Sequence, residues 1–435
     1  MTNLSFVSLS HDEISGQIPE SIGDMCDSLL TIDLSSNNFI GRIPSSLANC
    51  SILQALDLSE NKLSGVIPNS LGQLQQLTLL HLSDNQLSGK LPSSFMNLSY
   101  LQTLDLGNNE LSGGIPSWIG DGFSNLAILN LRSNAFFGEI PHELSKLSSL
   151  QVLDLGENDL SGSIPTSFGD LKAITEEKRN DKNSEYMIYQ DVYNKFVSYQ
   201  VEDYQDRLVV NTKGQSLMYT KTLSLVTNID LSGNKLSGGI PHEMTKLSGL
   251  MYLNLSRNHI TGSIPDSISN MHQLSSLDLS SNQLAGSIPQ NLSSLSFLSY
   301  LNLSYNNLSG PIPYTGQTTT FEASSFAGNP SLYGCPLPVK CLRNNDDLAG
   351  GSDNGASTKE TIDGDDDGLI DQGFYLSLGV GFAAGLLVPY FIVSMNRSWS
   401  DAYFDFWDVV IIRFLVFLHK RKISQGRNIK PHHRQ

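Results

Sequence analysis

Leu53-Gln-Ala-Leu56-Asp-Leu58-Ser-Glu-Asn61-Lys-Leu-Ser-Gly65-Val-Ile-Pro68 is one copy of a phrase that recurs along the chain. Side chains of extended backbone alternate, so Leu53, Leu56 and Leu58 point to one side of a short strand and Ala55, Asp57 and Glu60 to the other. Asn61 reads as a buried amide that bonds backbone groups where the chain leaves the strand. Gly65 permits a turn conformation that a Cβ would disfavour, and Pro68 fixes φ and is expected to keep the return segment extended. Equivalent asparagines stand at 37, 85, 109, 134 and 158, then at 234, 258, 282 and 306, with Asp12 in that place in an opening copy. Within each block the spacing is 24 or 25 residues.

A fixed period in the range of 20–29 residues is the signature of a leucine-rich-repeat solenoid. The expected fold is an α/β-type curved array with a parallel sheet on its concave face, stabilised between neighbouring repeats and needing caps at both ends. The length of 435 residues fits an elongated array better than one compact domain. A net charge of −16 argues against nucleic acid as a partner, which would call for a basic face.

The array is interrupted. Asn158 and Asn234 lie 76 residues apart, one repeat plus 52. Six of the fifteen tyrosines (Tyr186, Tyr189, Tyr193, Tyr199, Tyr204 and Tyr219) fall in this surplus, which reads as an inserted island that packs onto the solenoid. The expected organisation is seven repeats over 1–171, the island at 172–222, four repeats over 223–313, a cap at 314–342, an acidic linker at 343–372, a membrane helix at 373–395 and a cytoplasmic tail at 396–435. Phe374 to Met395 is 22 residues without a charge, enough to cross a hydrocarbon core of about 30 Å. Acidic residues precede it and eight Lys/Arg follow against three Asp, which places the tail inside and the repeats outside the cell. Met1 begins inside a repeat strand with no secretory leader, so the reading expects an N-terminally truncated form that needs a leader supplied to reach the membrane.

Motifs that suggest chemistry fail on their context. Asp363-x-Asp365-x-Asp367-Gly368 starts like a calcium loop, but its twelfth position is Phe374. His142-Glu143 and His242-Glu243 lack the second histidine of a zinc protease, and no Gly-x-Ser-x-Gly elbow occurs. No enzyme activity, cofactor or metal is expected. Asn-x-Ser sequons at Asn3, Asn49, Asn97, Asn254, Asn291, Asn302 and Asn307 point to a glycoprotein, with Asn254 and Asn302 on outward strand positions. Cys335 and Cys341 are a candidate disulfide of the cap, whereas Cys26 and Cys50 either bridge adjacent turns or remain two buried thiols.

The LSGxIP repeats, the island, the four repeats after it, the single span and the short tail resemble the kinase-lacking receptor-like proteins of plants, the xylanase-sensing and disease-resistance type. That resemblance implies recognition of a microbial or peptide ligand outside the cell, plasma-membrane residence as a single-pass protein, and signalling in plant defence through partner receptor kinases and co-receptor kinases with leucine-rich-repeat ectodomains. It also implies ligand or co-receptor contact at Tyr204, Lys213, Gly214 and Tyr219 of the island, and helix packing in the membrane at Gly381 and Gly385. The rival readings are a truncated decoy or scaffold that competes for partner kinases, and an inhibitor-type module that binds a secreted microbial hydrolase.

Overall fold

The computed structural model describes residues 5–175, 206–220 and 223–338. Contacts divide the chain into Met1–Asn345 and Asp346–Gln435, and the second unit lies outside the described residues. So do Asn3, Tyr204, Cys341 and the expected membrane segment with Gly381 and Gly385. Among the described residues no helix is long and apolar enough to cross a membrane.

Eleven short strands, from Phe6–Ser8 to Tyr300–Asn302, form one parallel sheet in chain order. The sheet crosses the sequence gap without a break, since Val152, Leu153 and Asp154 pair with Asn228, Ile229 and Asp230. The middle residue of each strand belongs to the core side: Leu56, Leu80, Leu104 and Leu153 are fully enclosed in a core that runs the length of the array. No repeat can enclose its own leucines, so each turn of the solenoid is stabilised by the next.

The recurrent asparagine forms a ladder that pins successive turns together. The Asn61 amide donates to the carbonyls of Leu34 at 3.0 Å, Leu58 at 3.2 Å and Ser59 at 3.0 Å, and its oxygen accepts the Phe39 N–H at 3.0 Å. Asn234 repeats this set across the gap, donating to the Leu155 carbonyl at 3.0 Å and accepting from Leu160 at 2.9 Å. Asn329 continues the ladder into the cap, where it donates to the Leu303 carbonyl at 3.0 Å. Phe321, Phe326 and Leu332 close the core at this end.

Two features differ from the sequence reading. The prolines do not lead into further extended backbone. Pro68, at φ −64° and ψ 133°, directly precedes a 3-10 turn over Asn69–Gln73, and the same step recurs in most repeats. A second parallel sheet of eight strands, from Ser15–Gln17 to Lys235–Ser237, runs along the array just after the asparagines. Its signal was the local alternation in Lys62-Leu-Ser, where only Leu63 is buried. Cys26 and Cys50 are joined as a disulfide, their Cα atoms 4.4 Å apart in adjacent turns. Cys335 also takes part in a disulfide.

Candidate functional site

Strand residues that face away from the core form two rows across the sheet. One row reads Asp33, Asp57, His81, Asp105, Asn130, Asp154, Asp230, Asn254, Asp278 and Asn302 in direct register. The carboxylates recur because each one caps its own strand end. The Asp57 carboxylate accepts the Ser59 N–H at 2.9 Å and the Ser59 hydroxyl at 2.6 Å, and Asp230 does the same for Ser232. Stacking them about 4.8 Å apart leaves like charges side by side, and among the described residues three cations balance that charge.

The first is Arg132. Its guanidinium reaches Asp154 at 3.3 Å, Asp230 at 3.1 Å and Glu157 at 3.3 Å, joining the last repeat before the gap to the first one after it. Burial, with the repulsion of Asp230, still pushes the Asp154 carboxyl up to about 7. Burial also raises Asp230, against the pull of Arg132. The other two cations, His81 and Arg207, meet at a latch. His81 Nε2 lies 3.0 Å from Asp206, and its Nδ1 faces Asp105 at 3.5 Å. Burial opposes charge on His81, yet the facing carboxylates of Asp105 and Asp206 hold it well above the ordinary imidazole range, the Asp206 contact being a charge pair outside hydrogen-bond geometry. Arg207 donates to the Ser35 hydroxyl at 2.6 Å and meets His11 at 3.0 Å.

Asp206 and Arg207 open an antiparallel hairpin, Leu208–Thr212 with Gln215–Tyr219, whose two-residue turn is Lys213-Gly214. Lys213 (φ 53°) and Gly214 (φ 72°) both lie in the left-handed region, the geometry that matches the twist of the flanking strands. A Cβ on Gly214 would also crowd the Tyr300 hydroxyl at 3.1 Å, so φ is the main reason for glycine and the close approach of Tyr300 a lesser one. Leu208 and Val210 pack onto Ile128, Val152 and Tyr252 in a second apolar cluster, with Tyr219 at its side. The hairpin therefore lies over the concave sheet. His81 and Tyr252, which face outward on their strands, are 2% and 8% exposed because the hairpin covers them, and are not open surface as their alternation alone suggests.

Two clefts result. One, of about 430 Å³, lies between the hairpin side chains of Val209, Asn211, Ser216 and Met218 and the turn residues Glu60, Asp84, Asn108 and Ser133. The other, of about 280 Å³, runs from Lys213 and Gly214 to Asn254, Arg257, Asp278 and Tyr300. The structure thus places Lys213 and Gly214 together at one cleft, and Tyr219 apart from them at the far end of the hairpin against Tyr252. Asn49, Asn97, Asn291 and Asn307 are exposed, while Asn254 and Asn302 are half-buried and donate to Asp230 at 3.1 Å and Asp278 at 3.4 Å. Among the described residues no group of three His, Cys, Asp or Glu side chains is arranged to hold a metal ion. Sequence reasoning missed Asp206, Arg207, Leu208 and Val210; the alternation of Leu208-Val-Val-Asn-Thr was the available signal.

Leucine rich repeat models match residues 27–87, 124–176 and 223–284, and a second leucine rich repeat model matches 100–121 and 297–317. Receptor-like protein EIX2 of Solanum lycopersicum is 56% identical over 199 residues, which is 46% of this chain and 19% of that protein. The chain thus matches less than a fifth of the length of this relative. Among solved structures, the plant peptide hormone receptor RGFR1 in complex with RGF2 superposes with a TM-score of 0.56 at 30% identity, covering 71% of this chain and 40% of that one. The leucine-rich-repeat ectodomain of the membrane receptor kinase GASSHO1/SCHENGEN3 from Arabidopsis thaliana, in complex with CASPARIAN STRIP INTEGRITY FACTOR 2, gives 0.56 at 31% identity, covering 75% and 38%.

Proposed function

The chain belongs to the leucine-rich-repeat proteins, and on that premise we propose that it is the recognition part of a plant cell-surface receptor that lacks its own kinase. It binds an extracellular protein or peptide on the concave face and passes the event to partner receptor kinases with leucine-rich-repeat ectodomains, in plant defence. The observation that carries this reading is the hairpin laid over the concave sheet, which turns a row of mutually compensated charges into two shaped clefts. The likeness to a receptor-like protein and to two plant receptors with bound partners supports it.

In this proposal Lys213 and Gly214 contact the ligand or a co-receptor directly, while Tyr219 holds the hairpin in place through Tyr252. Tyr204 belongs to the same contact region by its place in the sequence. Gly381 and Gly385 allow a partner helix to approach closely within the membrane, where small residues replace the hydrophobic effect as the source of contact energy. Glycans at Asn49, Asn97 and Asn307 meet no structural obstacle, whereas glycans at Asn254, Asn291 or Asn302 would have to break the bonds those amides make. Catalysis has no part in the proposal.

The test is co-precipitation of the full chain, displayed on the surface of plant cells, with a panel of leucine-rich-repeat receptor kinases. Microbial culture fractions are added or withheld. Kinase association that rises with one fraction is the expected result. Association that is equal in every condition would favour the decoy reading, and association with no kinase would overturn the proposal.

A further inference from the structure

The larger cleft is lined by more acidic than basic side chains. Arg132 is engaged by Asp154, Asp230 and Glu157, and His81 by Asp105 and Asp206. Arg207 is turned towards Ser35, His11 and Asp57. Glu157 has a second partner in Arg257. Glu60 and Asp84 remain, and among the described residues no Lys, Arg or His side chain pairs with either. They receive neutral donors only, the Ser36 hydroxyl at 2.6 Å on Glu60 and the Asn108 amide at 2.9 Å on Asp84. The two sit at the same position of adjacent turns, where the Glu60 N–H bonds the Ser83 carbonyl at 2.9 Å and the Asp84 N–H that of Gly107 at 2.9 Å. Burial and the like charges of Asp105 and Glu60 push the Asp84 carboxyl up, against the Asn108 bond, and a bound cation would relieve that state.

The opposite wall, which also holds Asn211 and Ser216, carries two exposed apolar side chains. Val209 is 47% and Met218 60% exposed, and they form a cross-strand pair on the outer side of the hairpin. A two-residue turn makes Thr212 and Gln215 a hydrogen-bonded pair, so the pairs Asn211–Ser216 and Val209–Met218 alternate as pairs that do not bond each other. Their amides and carbonyls point sideways from the ribbon and have no backbone partner among the described residues. A free ribbon edge with that spacing is a template for one more extended strand.

We infer that this cleft takes an extended segment of a partner protein, which sets a Lys or Arg side chain between Glu60 and Asp84 and an apolar side chain against Val209 and Met218. Its volume of about 430 Å³ lies within the range of ligand sites, about 300–1,000 Å³. The inference rests on the recognition reading above and narrows its ligand to a basic, extended one. Lys213 at the other cleft, where Arg257 also lies, would repel such a side chain, which sets the direction of the segment.

Mixtures of blocked dodecapeptides, each with a single position fixed as Arg, Glu, Gln or Leu, provide the probe, read by fluorescence polarisation against the full chain in detergent. At one position fixed Arg should bind about ten-fold tighter than fixed Glu, the order expected of close charge pairs. In E60Q/D84N that difference should vanish while the preference for Leu elsewhere stays. In Met218→Asp the Leu preference should vanish while the Arg preference stays. Thermal unfolding establishes that each variant is folded, and both substituted carboxylates become near-isosteric amides. An Arg preference that is absent, or that survives in E60Q/D84N, overturns the inference. So does a preference that appears only when residues 176–205, which contain Lys178, Arg179, Lys182 and Lys195, are deleted, because the occupant is then the chain itself. Peptide binding without charge preference would leave the recognition reading standing. That reading fails instead if no kinase associates in the co-precipitation.

Discussion

Asn234 shows how much one side chain carries. Its amide holds three carbonyls and its oxygen one N–H, all buried, and two of these partners lie on the far side of the sequence gap. Asn234→Ala leaves them unpaired in the core, and we expect it to destabilise the chain by about 2–4 kcal/mol in urea titration. Asn307→Ala, an exposed change, should stay within about 0.5 kcal/mol. A second prediction concerns pH. Asp154 sits at about 7 when folded against an ordinary 3.8, so the native state binds the extra proton between these values. Stability must therefore fall as pH rises through that window. His81, raised when folded, acts in the same direction, because its contribution is complete below the ordinary imidazole value and is lost as pH climbs through the raised one. The thermal midpoint should be higher at pH 5.5 than at pH 8, and Asp154→Asn should flatten the part below pH 7. An unchanged slope in that variant would show that the burden lies elsewhere.

At the scale of elements, the repeat strands were legible because a single residue type recurs at a fixed offset, and the role of Asn61 followed from its position alone. The hairpin was not. Its turn is Lys213-Gly214 where the sequence cue for this geometry is Asn or Asp before Gly, and its apolar residues are too few to stand out from an aromatic-rich stretch. The second sheet escaped notice for a related reason: strands of four or five residues with one buried leucine or phenylalanine each give little alternation to read. Once docked, the hairpin depends on Leu208 and Val210, each of which contributes about 1.5–3 kcal/mol on burial. Leu208→Ser with Val210→Ser should release the ribbon without unfolding the repeats. Limited proteolysis is expected to cut within 206–220 in that variant and not in the parent, while the main unfolding transition persists. Loss of that transition would mean that the hairpin is part of the core, not an attachment to it.

For the whole described molecule, continuity of the array across the gap was readable from equal register on its two sides, and the strand pairing of Val152 with Asn228 shows it. The location of the site was not readable. Asp206 meets Thr103 at a separation of 103 residues, and Arg207 meets His11 at 196, and no local pattern encodes contacts of that range. What the sequence offered in their place was a family likeness, which pointed to Lys213 and Tyr219 but not to the latch that positions them. The account stands or falls on that latch, because without it the concave face is an open polar sheet with no clefts. A double-mutant cycle on His81→Ala and Asp206→Ala, read by urea unfolding, measures it directly. With His81 and Asp206 3.0 Å apart and buried, a coupling of about 1–3 kcal/mol is predicted. A coupling indistinguishable from zero, with both single variants folded, would contradict a hairpin docked on the concave face.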